Sequence, residues 1–178
     1  MRKRLFYWEL AGFAFTAALG TLLHFTFDWC GGSALAAAFS AVNESTWEHM
    51  KLLFFPVFLF SVAELWALGR NYPNFLAVRA LSTAVGLALI PTLFYTYTGV
   101  LGYHLLWADV AVFLLADLGM FALEFRLLGT HRCTSLWQQV LGLLVLWLLA
   151  FLFVYCTFRS PHLGLWRDPA TGQFGLPL

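Results

Sequence analysis

The sequence predicts an all-α, polytopic membrane helix bundle of about five transmembrane helices plus one short re-entrant or interfacial helix, with the N-terminus cytoplasmic. Three observations predict it. The 178 residues are 61% hydrophobic, 19% aromatic and 11% charged, with a mean hydropathy of +0.78, a balance that excludes a water-soluble globule. Five apolar runs, at residues 5–27, 46–68, 75–99, 104–128 and 136–158, reach the roughly 20 residues a helix needs to cross a bilayer core about 30 Å thick. Lys and Arg are also unevenly sided. With the N-terminus inside, Arg2, Lys3, Arg4, Arg70, Arg79, Arg126 and Arg132 are inside against Lys51, Arg159 and Arg167 outside, as the positive-inside rule favours.

Each element follows from its local sequence. The first run comes after MRKR and is long and continuous, so it reads as an uncleaved span rather than a signal peptide. GSALAAAFSAV at 32–42 is too short to cross and reads as a re-entrant or interfacial helix. Pro56 and Pro91 each release the carbonyl four residues earlier and bend the second and third spans. Asp109 and Asp117 interrupt the fourth. Trp8, Trp29, Trp47, Trp107, Trp137 and Trp166 fall near span ends, where amphipathic rings anchor at the interface. The chain thus divides into a bundle at 1–158 and an extracytoplasmic tail at 159–178. Pro161, Pro169, Gly172 and Gly175 set turns in that tail around His162, Arg167 and Asp168. It serves either as a lid over the bundle or as an interfacial flap held by Trp166 and Phe174.

Composition also excludes function classes. A net charge of +1 offers no basic field for nucleic acid. Cys30, Cys133 and Cys156 lack the paired spacing of a zinc or redox motif. Cys30 and Cys156 fall on the same side and form a disulfide only if the fold brings them close.

Topology sorts the polar residues. His24, Asp28, Glu44, Glu48, His49, Lys51, Tyr97, His104, Asp109, His162 and Asp168 all fall at the outer face, although they are far apart along the chain. Ionisable groups at membrane depth are costly and usually line a cavity or a functional site, so an outward-facing polar pocket is expected. The alternative is that they mark solvated helix ends. Glu9, Glu64 and Glu124 fall near the inner ends and are expected to satisfy local loops. Asp117, near mid-membrane, must be protonated, paired or facing a wet cavity; a hydroxyl or Arg79 is its expected contact.

The densest segment is Val42-Asn43-Glu44-Ser45-Thr46-Trp47-Glu48-His49-Met50-Lys51. On one helix, Glu44, Trp47, Glu48 and Lys51 share a stripe, seating two acids and a base for acid/base work or cation binding. Alternatively, Ser45 and Glu48 form a capping box, which leaves Glu44 outside the helix and Glu48 and Lys51 as an i,i+3 pair. Asn43-Glu44-Ser45 matches a glycosylation sequon, a frequent chance match. His24 and Asp28, at i,i+4, suit two metal ligands or a carboxylate-oriented histidine. Lys51 is expected to pair with Asp109.

Three segments carry a resemblance: HFTFDWCGGSALAAAFSAVNESTWEHMKLLFFP (24–56), FYTYTGVLG (94–102) and PHLGLWRDPATGQFG (161–175). With them the chain resembles domain-of-unknown-function family 6512, small bacterial multipass membrane proteins without established activity. The resemblance implies a compact polytopic protein and carries over no catalytic role. The WEHMK arrangement also resembles the sterol-isomerase type of membrane domain, although order and spacing differ.

The expected function is a membrane-embedded acid/base or metal-assisted enzyme acting on a lipid or lipid-linked substrate. In it Glu44, Glu48, His49, Lys51 and Asp109 are catalytic, and His24, Asn43, Asp28, Tyr97, His104, His162 and Asp168 bind. The candidate cofactor is a divalent metal, with His24, Glu48 and His49 as candidate ligands. The partners are the bilayer and a lipid or small-molecule ligand. The alternatives are a small carrier for a solute or proton, and a non-catalytic membrane scaffold.

Overall fold

A computed structural model describes residues 2–176. Met1 and tail positions 177–178 lie outside the described residues. Six helices follow in order: α1 (Arg2–Trp29), α2 (Ala34–Phe39), α3 (Thr46–Leu68), α4 (Phe75–Leu101), α5 (Leu106–Leu128) and α6 (Leu136–Phe158), then a single 3-10 turn at Gly164–Trp166. Among the described residues there is no strand, only one bridge between Arg167 and Phe174. All five expected spans are helices, and the short 32–42 stretch carries α2.

Five of the helices are long and apolar enough to cross a membrane. Their outward sides carry large bare apolar residues, among them Trp66, Leu106, Leu136 and Trp107, which only a lipid surrounding would cover. The protein is a multipass membrane protein. Five antiparallel crossings put the tail on the face opposite the N-terminus. These are called the tail face and the N-terminal face below.

Packing is set by close approach of backbones. α4 packs on α5 and α6, and α1 on α3 and α5. Between helices in lipid, small residues allow such contact. At Gly142 an added Cβ would sit 2.5 Å from the Leu76 carbonyl oxygen, and at Gly20 2.8 Å from that of Leu52. Leu52 is the residue four before Pro56, which lies inside α3. The proline thus frees the carbonyl against which α1 passes.

The main core runs from Trp47, Leu53, Phe54 and Val57 through Leu87, Met120 and Phe121 to Phe153. Trp47 corrects an expectation. It is no interfacial anchor but is 8% exposed, with its ring between Phe153 and Trp166 at centroid distances of 4.5 and 4.7 Å. Through Trp166 it holds the tail against α3. Trp29, Trp107 and Trp137 are exposed at helix ends, as anchors should be.

Candidate functional site

The tail face gathers its polar residues into three separate clusters. In the first, Ser45 is the N-cap of α3, its side chain accepting from the Glu48 amide. That cap leaves Glu44 outside the helix, so the expected single stripe of Glu44, Glu48 and Lys51 does not form. Glu44 instead reaches His24, on the last turns of α1, and His49, on the first turn of α3. His24 Nε2 lies 3.6 Å from Glu44 Oε1, and His49 Nε2 lies 3.5 Å from Glu44 Oε2. The imidazole centroids are 5.6 Å apart. His49 Nδ1 donates to the Ser45 carbonyl at 3.0 Å, which turns its Nε2 toward Glu44. Side-chain exposures of 28% for His24, 30% for His49 and 54% for Glu44 leave the group open on one side.

The three ligand atoms lie within 4.8 Å of one another. Donors about 2.0–2.2 Å from a tetrahedral ion stand roughly 3.3–3.6 Å apart; each imidazole nitrogen is at that distance from a different oxygen of the Glu44 carboxylate. A His₂-carboxylate set with an open side suits zinc or a similar divalent metal. Glu44 takes the place expected for Glu48 among the candidate ligands. Asp28, exposed one turn beyond His24, lies outside the triad.

The second cluster is closed. Lys51 is fully buried, and its Nζ meets Glu48 Oε2 at 2.5 Å, the Ala37 carbonyl at 2.9 Å and Thr157 Oγ1 at 2.9 Å. An ammonium has three donors, and each has its acceptor. Glu48 also accepts from the Val42 amide at 3.2 Å. The pair therefore ties α2, α3, α6 and the α2–α3 loop together. The expected Lys51–Asp109 pair does not form, because Glu48 lies one turn away on the same helix.

Asp109 anchors the third cluster, on α5. Tyr97 donates its hydroxyl to Asp109 Oδ1, His104 Nδ1 donates to Oδ2 at 3.1 Å, and the Leu105 amide donates to the Tyr97 hydroxyl at 3.3 Å. These contacts fix the α4–α5 turn.

The remaining expected site residues shape the tail. Asn43 donates to the Gly175 carbonyl at 2.8 Å and accepts from the Ser45 amide at 2.9 Å. Asp168 accepts from the Ala170 amide and the Thr171 hydroxyl, each at 2.8 Å. His162 stacks on Phe174 at 4.7 Å. Cys30, Cys133 and Cys156 are free.

Two shallow concavities lie at the N-terminal face, one lined by Val62, Ala63, Leu65, Trp66 and Arg70, the other by Arg2, Lys3, Phe6, Tyr7 and Phe125. Neither contains a residue of the three clusters.

The helix halves toward the N-terminal face hold what the sequence reading missed. Glu9, Glu64 and Glu124, expected to serve local loops, are buried inside the bundle with Arg79. Arg79 Nη2 donates to Glu64 Oε2, and Nη1 stands 3.0 Å from Glu124 Oε2 without hydrogen-bond alignment. The guanidinium carbon also lies 5.5 and 5.3 Å from the ring centroids of Phe75 and Phe121, a cation–π sandwich. One signal was available: all four residues lie one or two turns inside apolar runs and, by topology, at one depth.

Neither a curated protein nor a solved structure matches the chain. One family does: its sequence profile matches residues 2–176, the whole bundle and nearly all of the tail. The chain belongs to the family of unknown function DUF6512.

Proposed function

We propose that the protein is a metal-assisted membrane enzyme acting at headgroup depth on a lipid or lipid-linked substrate, with His24, His49 and Glu44 holding a divalent metal. The observation that carries this reading is the 3.5 and 3.6 Å spacing of two imidazole nitrogens around one carboxylate. A bound divalent ion would supply Lewis-acid polarisation and activation of water. His49 is held for ligation by its Nδ1 bond to Ser45, the outer-sphere contact that metal-binding histidines usually have. Glu44 bridges the two rings and brings negative charge to the ion. The site sits where α1 ends and α3 begins, beside the stacked and exposed rings of Phe25 and Trp29, at the level where lipid headgroups meet acyl chains. In our orientation, N-terminus inside, this face is extracytoplasmic.

The test is calorimetric titration of zinc into the full chain in lipid nanodiscs, with lipid hydrolysis or transfer assayed in parallel. His24→Ala, His49→Ala and Glu44→Gln should each weaken zinc binding by at least about tenfold and abolish activity. Zinc binding equal in the wild type and the triple variant would overturn the reading. A carrier for a solute or proton is the second reading, favoured by Asp117, which is fully buried about half-way along α5. Uptake into proteoliposomes that is lost in Asp117→Asn would support it.

A further inference from the structure

The buried cluster near the N-terminal face has more negative charge than it can hold. Glu9 from α1, Glu64 from α3, Arg79 from α4 and Glu124 from α5 are at most 4% exposed. Three carboxylates surround one guanidinium. Arg79 is committed to Glu64 and Glu124. Both oxygens of Glu9 and Glu64 Oε1 are buried without a hydrogen-bond partner, as are both oxygens of Asp117 two turns before Glu124 on α5. Glu9 lies one turn before Gly12, which packs against the Phe121 ring, and Arg79 stands over that same ring. The inner half of α6, from Leu136 to Trp147, carries no ionisable side chain. Arg4 spends its guanidinium on the Ala67 carbonyl at the exposed end. Among the described residues, Glu9 has neither a salt-bridge nor a hydrogen-bond partner.

A low-dielectric interior does not retain two surplus charges. They must be met from solution. A metal ion such as sodium or calcium wants some six oxygen donors, whereas the backbone carbonyls here are engaged within the helices. A proton needs a single lone pair. Each proton taken up also removes one surplus charge and turns an orphaned acceptor into a donor.

We propose that Glu9, Glu64 and Glu124, gathered around Arg79, form a buried proton-binding site whose protons exchange with solution. Four spanning helices meet there. Loading makes their junction neutral and closed, and loss of the protons makes it self-repelling, so the packing of α1, α3, α4 and α5 is tied to proton occupancy.

The experiment is infrared difference spectroscopy of the full chain in lipid nanodiscs, transferred between light and heavy water, with no metal required. The wild type should show an exchangeable carboxylic-acid carbonyl band, and Glu9→Gln and Glu124→Gln should each remove part of it. Glu9→Gln, whose amide imitates the protonated acid, should melt at the wild-type temperature or above. Absence of the band, or a band unchanged in both variants, would overturn the proposal. So would a Glu9→Gln protein that unfolds, since an ionised carboxylate would then be needed there. A band present only in sodium-free buffer and lost on adding sodium would assign the site to that ion instead.

Discussion

Among the described residues the bundle buries two salt-bridge networks, one at each end, and they differ in completeness. Near the tail face, Lys51 gives three donors to three acceptors drawn from α2, α3 and α6. Near the N-terminal face, Arg79 is outnumbered by Glu9, Glu64 and Glu124, and several carboxylate oxygens are left without partners. A complete polar network fixes one packing arrangement, while an incomplete one needs something from solution. The Lys51 network is therefore architecture. The Arg79 network is the one we propose takes up protons, and the open His24–Glu44–His49 triad at the tail face is the one we propose holds a metal.

The sharpest break of this comparison is at the two cations. Arg79→Met leaves three buried glutamates without any positive charge, and Lys51→Met leaves Glu48 alone; each should cost about 3–5 kcal/mol, read as thermal unfolding in nanodiscs. The two sites then part. Adding Glu48→Leu to Lys51→Met should restore most of the loss, because an apolar pair can replace a closed ion pair, and no single apolar change should rescue Arg79→Met. Glutamine scanning separates the sites further. Glu48→Gln deprives Lys51 of its anion and should lower the melting temperature, whereas Glu9→Gln should not; equal losses would erase the distinction.

Smaller effects test the frame that holds the clusters. Gly142→Leu forces side-chain atoms into the Leu76 carbonyl and should cost about 1–3 kcal/mol, again by thermal unfolding. Asp168→Ala removes two acceptor contacts from the tail turn; the expected loss is about 1–2 kcal/mol of local stability, seen as faster proteolysis at Arg167 with the bundle unfolding unchanged. Smallest is Glu44→Gln without metal. The residue is half exposed and should leave the melting temperature nearly unchanged, while zinc stabilises the wild type by mass action and not the variant.

How much of this was legible varies by element. Spans α3 and α6 run over the residues their hydropathy predicts, since helix length and apolar content are properties of consecutive residues. The short α2 was legible for the same reason. At the site, His24, Glu44 and His49 were all singled out, yet their grouping was not. The helical stripe put Glu44 beside Glu48, but the Ser45 cap ends the helix and frees Glu44 to turn toward α1. Asp109 was assigned to Lys51 on depth alone, and the partner adjacent along the helix won. Glu9, Glu64 and Glu124 were read as span-end residues satisfying local loops because each is unremarkable within its own run. Their meaning lies in four helices converging.

By itself, the amino-acid order determined that this chain is a bundle of membrane-crossing helices with its polar residues sorted by depth. Burial of a span in lipid and hydrogen bonding of its own backbone depend only on contiguous residues. Tertiary structure alone decided which charges are neighbours and which are left over. Residues 9, 64, 79 and 124 meet only because α1, α3, α4 and α5 turn those faces toward one another, and close approaches such as that of Gly20 to Leu52 are part of the packing that holds them so.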